Sequence, residues 1–367
     1  MPGALCFPGC VSHYPRSMKA LTITKLAAAG EPISTNIRLV DNWPEPGPPG
    51  AGQVLVRTQA AALNHLDLWV ARGVPGLKLE YPRVSGSDVC GAVEAVGPDV
   101  DPGWVGKKVV LNAALDVSPP PSAGEGPRTT LAPMYELIGE HRNGTLAEKF
   151  LAPVTHIQPV RDDQDPAEAA AFGLTTLTAY SMTRTKGNLL PGQSVLITGI
   201  GGGVACAALG IAKHLGCPVA VTSRHQWKLD KARELGADFG VVDSGQDWSK
   251  DIRAWTQGRG VNMAVDSSGK ATHIKALKSL ARGGAYVTPG CTSGPDATTD
   301  LARIFWNQLR ILGSTMGTPE EFAEVVSLYR SGALKPVIDG IFPIDRGAEA
   351  YSRLESSDQF GKIVIRF

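Results

Sequence analysis

The sequence predicts an α/β protein in two parts: a β-rich unit, then a doubly wound parallel sheet. Three observations carry this. After Asp165, apolar strand patterns and helical patterns alternate with short connections, which is the signature of βαβ units. The stretch "LITGIGGGVACAALG", Leu196 to Gly210, runs from an apolar strand through a glycine burst into small residues at buried-helix spacing. Before Asp165 the signals are short strands and turns instead.

The 367 residues suffice for two domains. A net charge of +1 gives no reason to expect nucleic acid or an anionic membrane as partner. No apolar run approaches the ~20 residues that span a bilayer. The cysteines Cys6, Cys10, Cys90, Cys206, Cys217 and Cys291 are scattered, with no CxxC pair. That pattern suits free thiols in a reducing, cytoplasmic setting. Residues 1–17 carry three prolines and no periodicity. They read as a flexible extension, with only weak features of an organelle-targeting peptide.

Met18 opens a strand, "MKALTIT". "DNWPEPGPPGAG" is a loop by composition, and "QVLVRTQAAAL" begins as a strand. "GAVEAVG" is a further strand, and "DPGWVGKKVVL" a turn leading into another. Asp116–Pro133 is rich in Pro, Ser and Gly and reads as an exposed loop. In the second part, "SVLIT" is a strand and "GVACAALGIAKHLG" a helix closed by Gly216. "PVAVTS" is a strand, and "QWKLDKARELGA" a helix with Leu229, Ala232 and Leu235 as its apolar stripe. After "FGVVD" comes a helix bearing Trp248, Ile252 and Trp255 on one face. "MAVDSSG", "GAYVTPG" and "LRILGS" are strands, with the helix "HIKALKSLA" between the first two. Thr318, Pro319 and Glu321 form an N-cap, an N1 proline and a capping-box acid. Phe322, Val325, Val326 and Tyr329 face inward, and "KIVIRF" closes the chain as a strand.

Gly199, Gly201, Gly202 and Gly203 sit at the turn between a strand and the helix starting near Val204. There a dinucleotide pyrophosphate meets bare backbone N–H groups and the positive end of a helix. The spacing departs from the usual fingerprint, with Ala205 at the position that packs helix on strand. An NAD site should carry Asp or Glu at the tip of the next strand, about 20 residues on. This chain has Ser223 and Arg224 there, with Lys228 one turn later. A hydroxyl and a guanidinium fork suit a 2′-phosphate, so the expected cofactor is NADPH.

These motifs, with "KARELGAD", "AAAFGLTTLTAY", "NHLDLW" and "GSDVCGAVEAVG", resemble the medium-chain dehydrogenase/reductase superfamily from Met18 to Phe367. The resemblance implies a GroES-like catalytic domain over 18–165 and 318–367, around a Rossmann domain over 166–317. It places the active site between the two domains and implies a homodimer. It also sets Thr178 beside the nicotinamide and runs the turn Val287–Gly294, with Pro289 and Gly290, over the ring. Zinc-dependent members place a Cys where this chain has Asn64, a His where it has Ser87 (followed by Asp88), and a third ligand near Leu174. Asn, Ser and Leu do not make a zinc site. The structural-zinc lobe, normally four cysteines, falls on Asp116–Pro133, which has none.

Without a Lewis acid, hydride delivery to an already electrophilic acceptor remains feasible. The expected activity is therefore a zinc-independent, NADPH-dependent reduction of a small quinone or α,β-unsaturated carbonyl. An alcohol dehydrogenase of the same superfamily and a non-catalytic NADPH-binding protein are the alternatives. Asn64 is the first candidate hydrogen-bond donor to the developing oxyanion. Asp67 would orient it or the cofactor, Ser87 could donate a hydroxyl hydrogen bond, and His65 could supply a proton. Trp69 and Tyr81 are candidate aromatic walls. Cys90 reads as buried, and His141 in "GEHRNG" as structural or exposed.

Overall fold

The computed structural model describes residues 16–120 and 129–367. Cys6, Cys10, nearly all of the 1–17 extension and the middle of Asp116–Pro133 lie outside those residues.

The β-rich unit is built on a seven-stranded sheet. Its path runs Ile157–Pro159, Lys108–Leu111, Asp88–Val96, Gln53–Leu63, Lys362–Arg366, Ile338–Pro343, and Lys149–Pro153 also pairs with Gln53–Leu63. Strand Gln53–Leu63 starts with alternating burial and ends in four consecutive buried residues, Ala60–Leu63. Alternation marks a strand with one wet face; a continuous buried run marks one covered on both. The covered end leads into the site. Lys362–Arg366 lies antiparallel beside it, with Ile363 opposite Leu63. The last strand of the chain thereby lies inside the first sheet, second from its edge.

The second unit is a six-stranded sheet, parallel throughout. Its order is Phe239–Val242, Val219–Ser223, Val195–Ile197, Val261–Val265, Leu280–Thr288, Arg310–Gly313. The first strand is central, and the chain winds outward from it in both directions. Val195–Ile197 and Val219–Ser223 are buried along their whole length, as expected where helices cover both faces. Ligands of such sheets bind where the winding reverses, at the carboxyl ends of the strands.

Three helices position the site. Helix α1 is His65–Arg72, α2 is Pro166–Tyr180 and α3 is Gly203–His214. The Asp165 side chain caps α2 by accepting from Ala167 N–H at 2.6 Å, with Pro166 at the first helical position. Most of α2 is buried; it packs on α3 of one unit and strand Asp88–Val96 of the other. The capping box at Thr318 is formed: Glu321 N–H donates to Thr318 Oγ1, and Thr318 N–H to Glu321 Oε2. Three helices go beyond the sequence reading, α1, Leu301–Asn307 and Gly347–Glu355, of eight, seven and nine residues. Helices this short owe their stability to tertiary packing rather than to periodicity. No helix among the described residues is long and apolar enough to cross a membrane.

Candidate active site

A cleft of about 850 Å³ is lined by residues of both units. On the parallel-sheet side it takes in Gly199, Ile200, Thr222, Ser223, Ser267, Ser268, Pro289 and Gly290. These follow or end four neighbouring strands, at the point where the winding reverses.

The glycine turn is a backbone surface. Gly201 has φ of +119°, and a Cβ there would lie 2.9 Å from Lys228 Cδ. Gly201 is not itself on the cleft; its carbonyl accepts from Gly361 N–H at 2.8 Å, tying the turn to the C-terminal strand. A Cβ on Gly203 would meet Thr175 Cγ2 at 2.7 Å and Lys362 Cδ at 2.9 Å. Gly202, Gly203 and Val204 line the cleft where α3 begins, so first-turn N–H groups without intrahelical partners face an incoming anion. Ala205 is buried beneath them. This cradle fits the pyrophosphate of a dinucleotide.

Ser223, Arg224 and Lys228 line the same cleft. Arg224 is exposed, whereas Lys228 is buried and donates to Ser357 O at 2.7 Å. Burial lowers the Lys228 pKa. Asp243 also lines the cleft, but Lys275 holds it at 2.7 Å. Thr178 lines the cleft and turns its hydroxyl back to Leu174 O. A Cβ on Gly290 would lie 3.6 Å from Trp69 Cη2, so the 287–294 turn rests against Trp69, a cleft wall. Tyr81 is not a wall. Its hydroxyl donates to Val70 O and supports α1.

On the other side of the site, three buried side chains interlock. Lys362 Nζ donates to Leu63 O at 2.8 Å, Asn64 Oδ1 at 2.5 Å and Asp88 Oδ2 at 2.9 Å. Asn64 Nδ2 also donates to Asp88 Oδ2, and Leu174 N–H to Asp88 Oδ1. All three hydrogens of the ammonium are used. Asn64 and Lys362 line the cleft, and Asp88 is fully buried behind them.

The structure corrects the expectation for Ser87 and leaves Asp67 on Asn64 rather than on the cofactor. Ser87 is fully buried and donates to Ile138 O at 2.7 Å, so its hydroxyl is spent inside the β-rich unit. Asp67 is buried away from the cofactor cradle. Its carboxylate accepts from Asn64 N–H at 2.7 Å and Gly86 N–H at 2.8 Å. It anchors the start of α1, and burial pushes its pKa up to about 6. His65 lines the cleft, but burial, then Lys362 and Arg72, lower its pKa. It is neutral near pH 7, which removes its imidazolium as a ready proton source.

A zinc ion does not fit these residues. The Asn64 amide is shared between Lys362 and Asp88, Ser87 points elsewhere, and Leu174 offers only its backbone. Cys90 is buried, its pKa pushed up to about 12, far from a thiolate ligand. Among the described residues, no group of three or more His, Cys, Asp or Glu is placed to hold a metal. The sequence reading has no signal for Lys362, Tyr135 or Glu140 and takes His141 as structural or exposed; all four line the cleft. Lys362 lies 298 residues from Asn64, and nothing local marks it.

The sequence pattern of the alcohol dehydrogenase GroES-like domain matches residues 50–162, and that of the zinc-binding dehydrogenases matches 203–331. A zinc-type alcohol dehydrogenase-like protein, YogA, of Leptosphaeria maculans is 31% identical, covering 94% of this chain and 98% of its own. Acryloyl-coenzyme A reductase of Sulfurisphaera tokodaii is 28% identical, covering 89% and 96%. The crystal structure of an NAD-dependent alcohol dehydrogenase, 37% identical, superposes with a TM-score of 0.86 over 95% of this chain and 100% of that one. The chain belongs to the medium-chain dehydrogenase/reductase superfamily of oxidoreductases, with a GroES-like and a Rossmann unit.

Proposed function

We propose that the protein is a zinc-independent, NADPH-dependent reductase of quinones or α,β-unsaturated carbonyls. The observation that carries this is the Asn64–Asp88–Lys362 cluster: a buried ammonium and its partners take up the donor groups a catalytic zinc would need. A bound reduced nicotinamide supplies the hydride. The residues of the chain position it: Gly202, Gly203 and Val204 under the pyrophosphate, Thr178, Pro289 and Gly290 about the ring. Arg224 and Ser223, with no carboxylate beside them on that strand tip, support the 2′-phosphate preference. Asn64, oriented by Asp67 through the backbone, sets the polarity of the floor on which the acceptor carbonyl rests.

The test is oxidation of NADPH and NADH by chelator-treated protein with an ortho-quinone, a para-quinone, an enal and a cyclic enone. Turnover with NADPH, little with NADH and no loss on chelation is the expected result. The similarity to alcohol dehydrogenases favours a second reading, in which chelation abolishes alcohol oxidation. NADPH binding with no acceptor reduced and no alcohol oxidised would favour a non-catalytic role.

A homodimer is part of the proposal. Leu301, Phe305 and Trp306 are 73%, 71% and 68% exposed, just before the edge strand Arg310–Gly313 of the parallel sheet. An open edge strand beside an apolar helix face is self-complementary about a two-fold axis. Sedimentation should give a dimer, and Trp306→Glu with Phe305→Lys should give monomer.

A further inference from the structure

The segment Tyr135–Arg142 brings titratable side chains to the cleft that the reading above does not use. Tyr135, Glu140 and His141 all line it. The segment is tied to the turn that leads into Asp88. Ser87 Oγ donates to Ile138 O at 2.7 Å, Thr145 N–H to Gly86 O at 3.0 Å, and Thr145 Oγ1 to Asp88 O at 3.0 Å. The Arg83 guanidinium binds the Glu140 carbonyl. Glu140 and His141 are thus held firmly against the backbone that carries the Asn64–Asp88–Lys362 cluster.

The hydrogen bonding fixes the imidazole. Leu137 N–H donates to His141 Nδ1 at 3.1 Å, so a neutral ring carries its proton on Nε2. Among the described residues no protein group takes that proton. Glu140 Oε1 lies 3.3 Å from Nδ1, with its side chain 10% exposed and that of His141 23%. A buried carboxyl beside an imidazole, facing an open cleft, is a proton donor with a reservoir behind it.

We propose that Glu140 and His141 form the proton-delivering pair of this site. The inference rests on the reductase reading. Hydride adds to the β-carbon of an enone, and the C=C electron pair moves to give an enolate. The Nε2 proton of His141 then passes to the α-carbon of the enolate. As that N–H bond breaks, Nδ1 gives up its hydrogen bond from Leu137 N–H and takes the proton of the Glu140 carboxylic acid. The saturated carbonyl leaves and Glu140 remains as carboxylate; a proton from water then adds to Nε2, and the Nδ1 proton returns to Glu140, restoring both groups.

Burial raises the Glu140 pKa, opposed by His141 and Arg83. His141, Arg83 and Tyr135 are the titratable or charged groups that bear on it. Activity toward an enone should therefore fall as rising pH removes the Glu140 proton.

The experiment compares wild type, Glu140→Gln and His141→Asn with 2-cyclohexenone and para-benzoquinone. NADPH affinity is followed by nucleotide fluorescence. Carbon protonation needs a donor, whereas quinone oxygens draw protons from solvent. Each variant should lower kcat for the enone by about 10²-fold or more and lower quinone reduction far less, with NADPH binding intact. In wild type, kcat for the enone should fall on the alkaline side, and the fall should vanish in Glu140→Gln. Unchanged enone kcat in both variants, or a flat wild-type profile from pH 5 to 9, overturns the pair and leaves the reductase reading standing. Wild type that reduces quinones but no enone does the same. Wild type that reduces neither overturns both.

Discussion

The two sides of the cleft are built by different means. The cofactor side is backbone: a glycine turn and the N-terminus of α3, contiguous in sequence. The opposite side is side chains drawn together from Asn64, Asp88 and Lys362. The backbone cradle demands absence, since a Cβ at Gly203 would collide with its neighbours. The floor demands presence, since each buried group there is partnered by the others. One side depends on backbone alone. The other depends on three particular side chains.

The largest test of that contrast removes one member of the floor. Lys362→Met leaves Asp88 buried, its side chain 1% exposed, without its counter-charge. Breaking a buried pair from one side typically costs 3–5 kcal/mol. Urea unfolding should show a loss of about that size, and Lys362→Met with Asp88→Asn should recover part of it. The cofactor side should respond in binding instead. On the proposed 2′-phosphate reading, Arg224→Ala removes a charge-assisted contact worth about 1.5–3 kcal/mol, so NADPH affinity should fall roughly tenfold to a hundredfold, with NADH affinity little changed. Titration calorimetry with both nucleotides reads this directly. An equal loss for both would remove Arg224 from 2′-phosphate recognition.

Gly203→Ala sharpens the boundary between the sides, because the added methyl presses on Thr175 and on the Lys362 stem. Overpacking of this kind costs about 1–3 kcal/mol. It should weaken nucleotide binding and lower the melting temperature together.

The smallest effect is a pH dependence of stability. Burial lowers the pKa of His65, His156 and His273. Between their ordinary value of about 6.5 and the lowered folded values, the unfolded chain binds more protons. Stability is then greatest above about pH 7 and falls on acidification through 6.5. Asp67, pushed up to about 6, works oppositely below pH 6, because the folded state keeps its proton longer. Thermal melts from pH 5 to 8 should rise with pH, and His156→Asn should flatten the slope.

What could be read from sequence follows the same division. The parallel sheet, the glycine turn and the Thr318 capping box are local backbone signals, and each is formed as its spacing implies. Helix α1 carried a local signal that went unread: an Asn three residues before an Asp that returns to cap it. The resemblance puts Ser87 at a metal-ligand position and sequence nearness puts Asp67 beside Asn64; in the structure the Ser87 hydroxyl is bonded to Ile138 O, and Asp67 caps α1 and holds Asn64 through its backbone. Glu140 and His141 sit among Gly, Arg and Asn, a composition that marks a loop and nothing more. Only the packing of residues 138–145 against Ser85–Asp88 puts them on a cleft wall.

The strand that carries Lys362 also sets a schedule. Asp88 leaves the ribosome 274 residues ahead of its partner, roughly 14–55 s at common synthesis rates of about 5–20 residues per second. For that interval the first sheet lacks an interior strand, and the carboxylate that will be buried has no ammonium to meet it. The β-rich unit therefore cannot mature ahead of the nucleotide-binding unit threaded through it. Assembly of both sides of the cleft waits on the same late segment, whose Gly361 ties the glycine turn as Lys362 closes the floor.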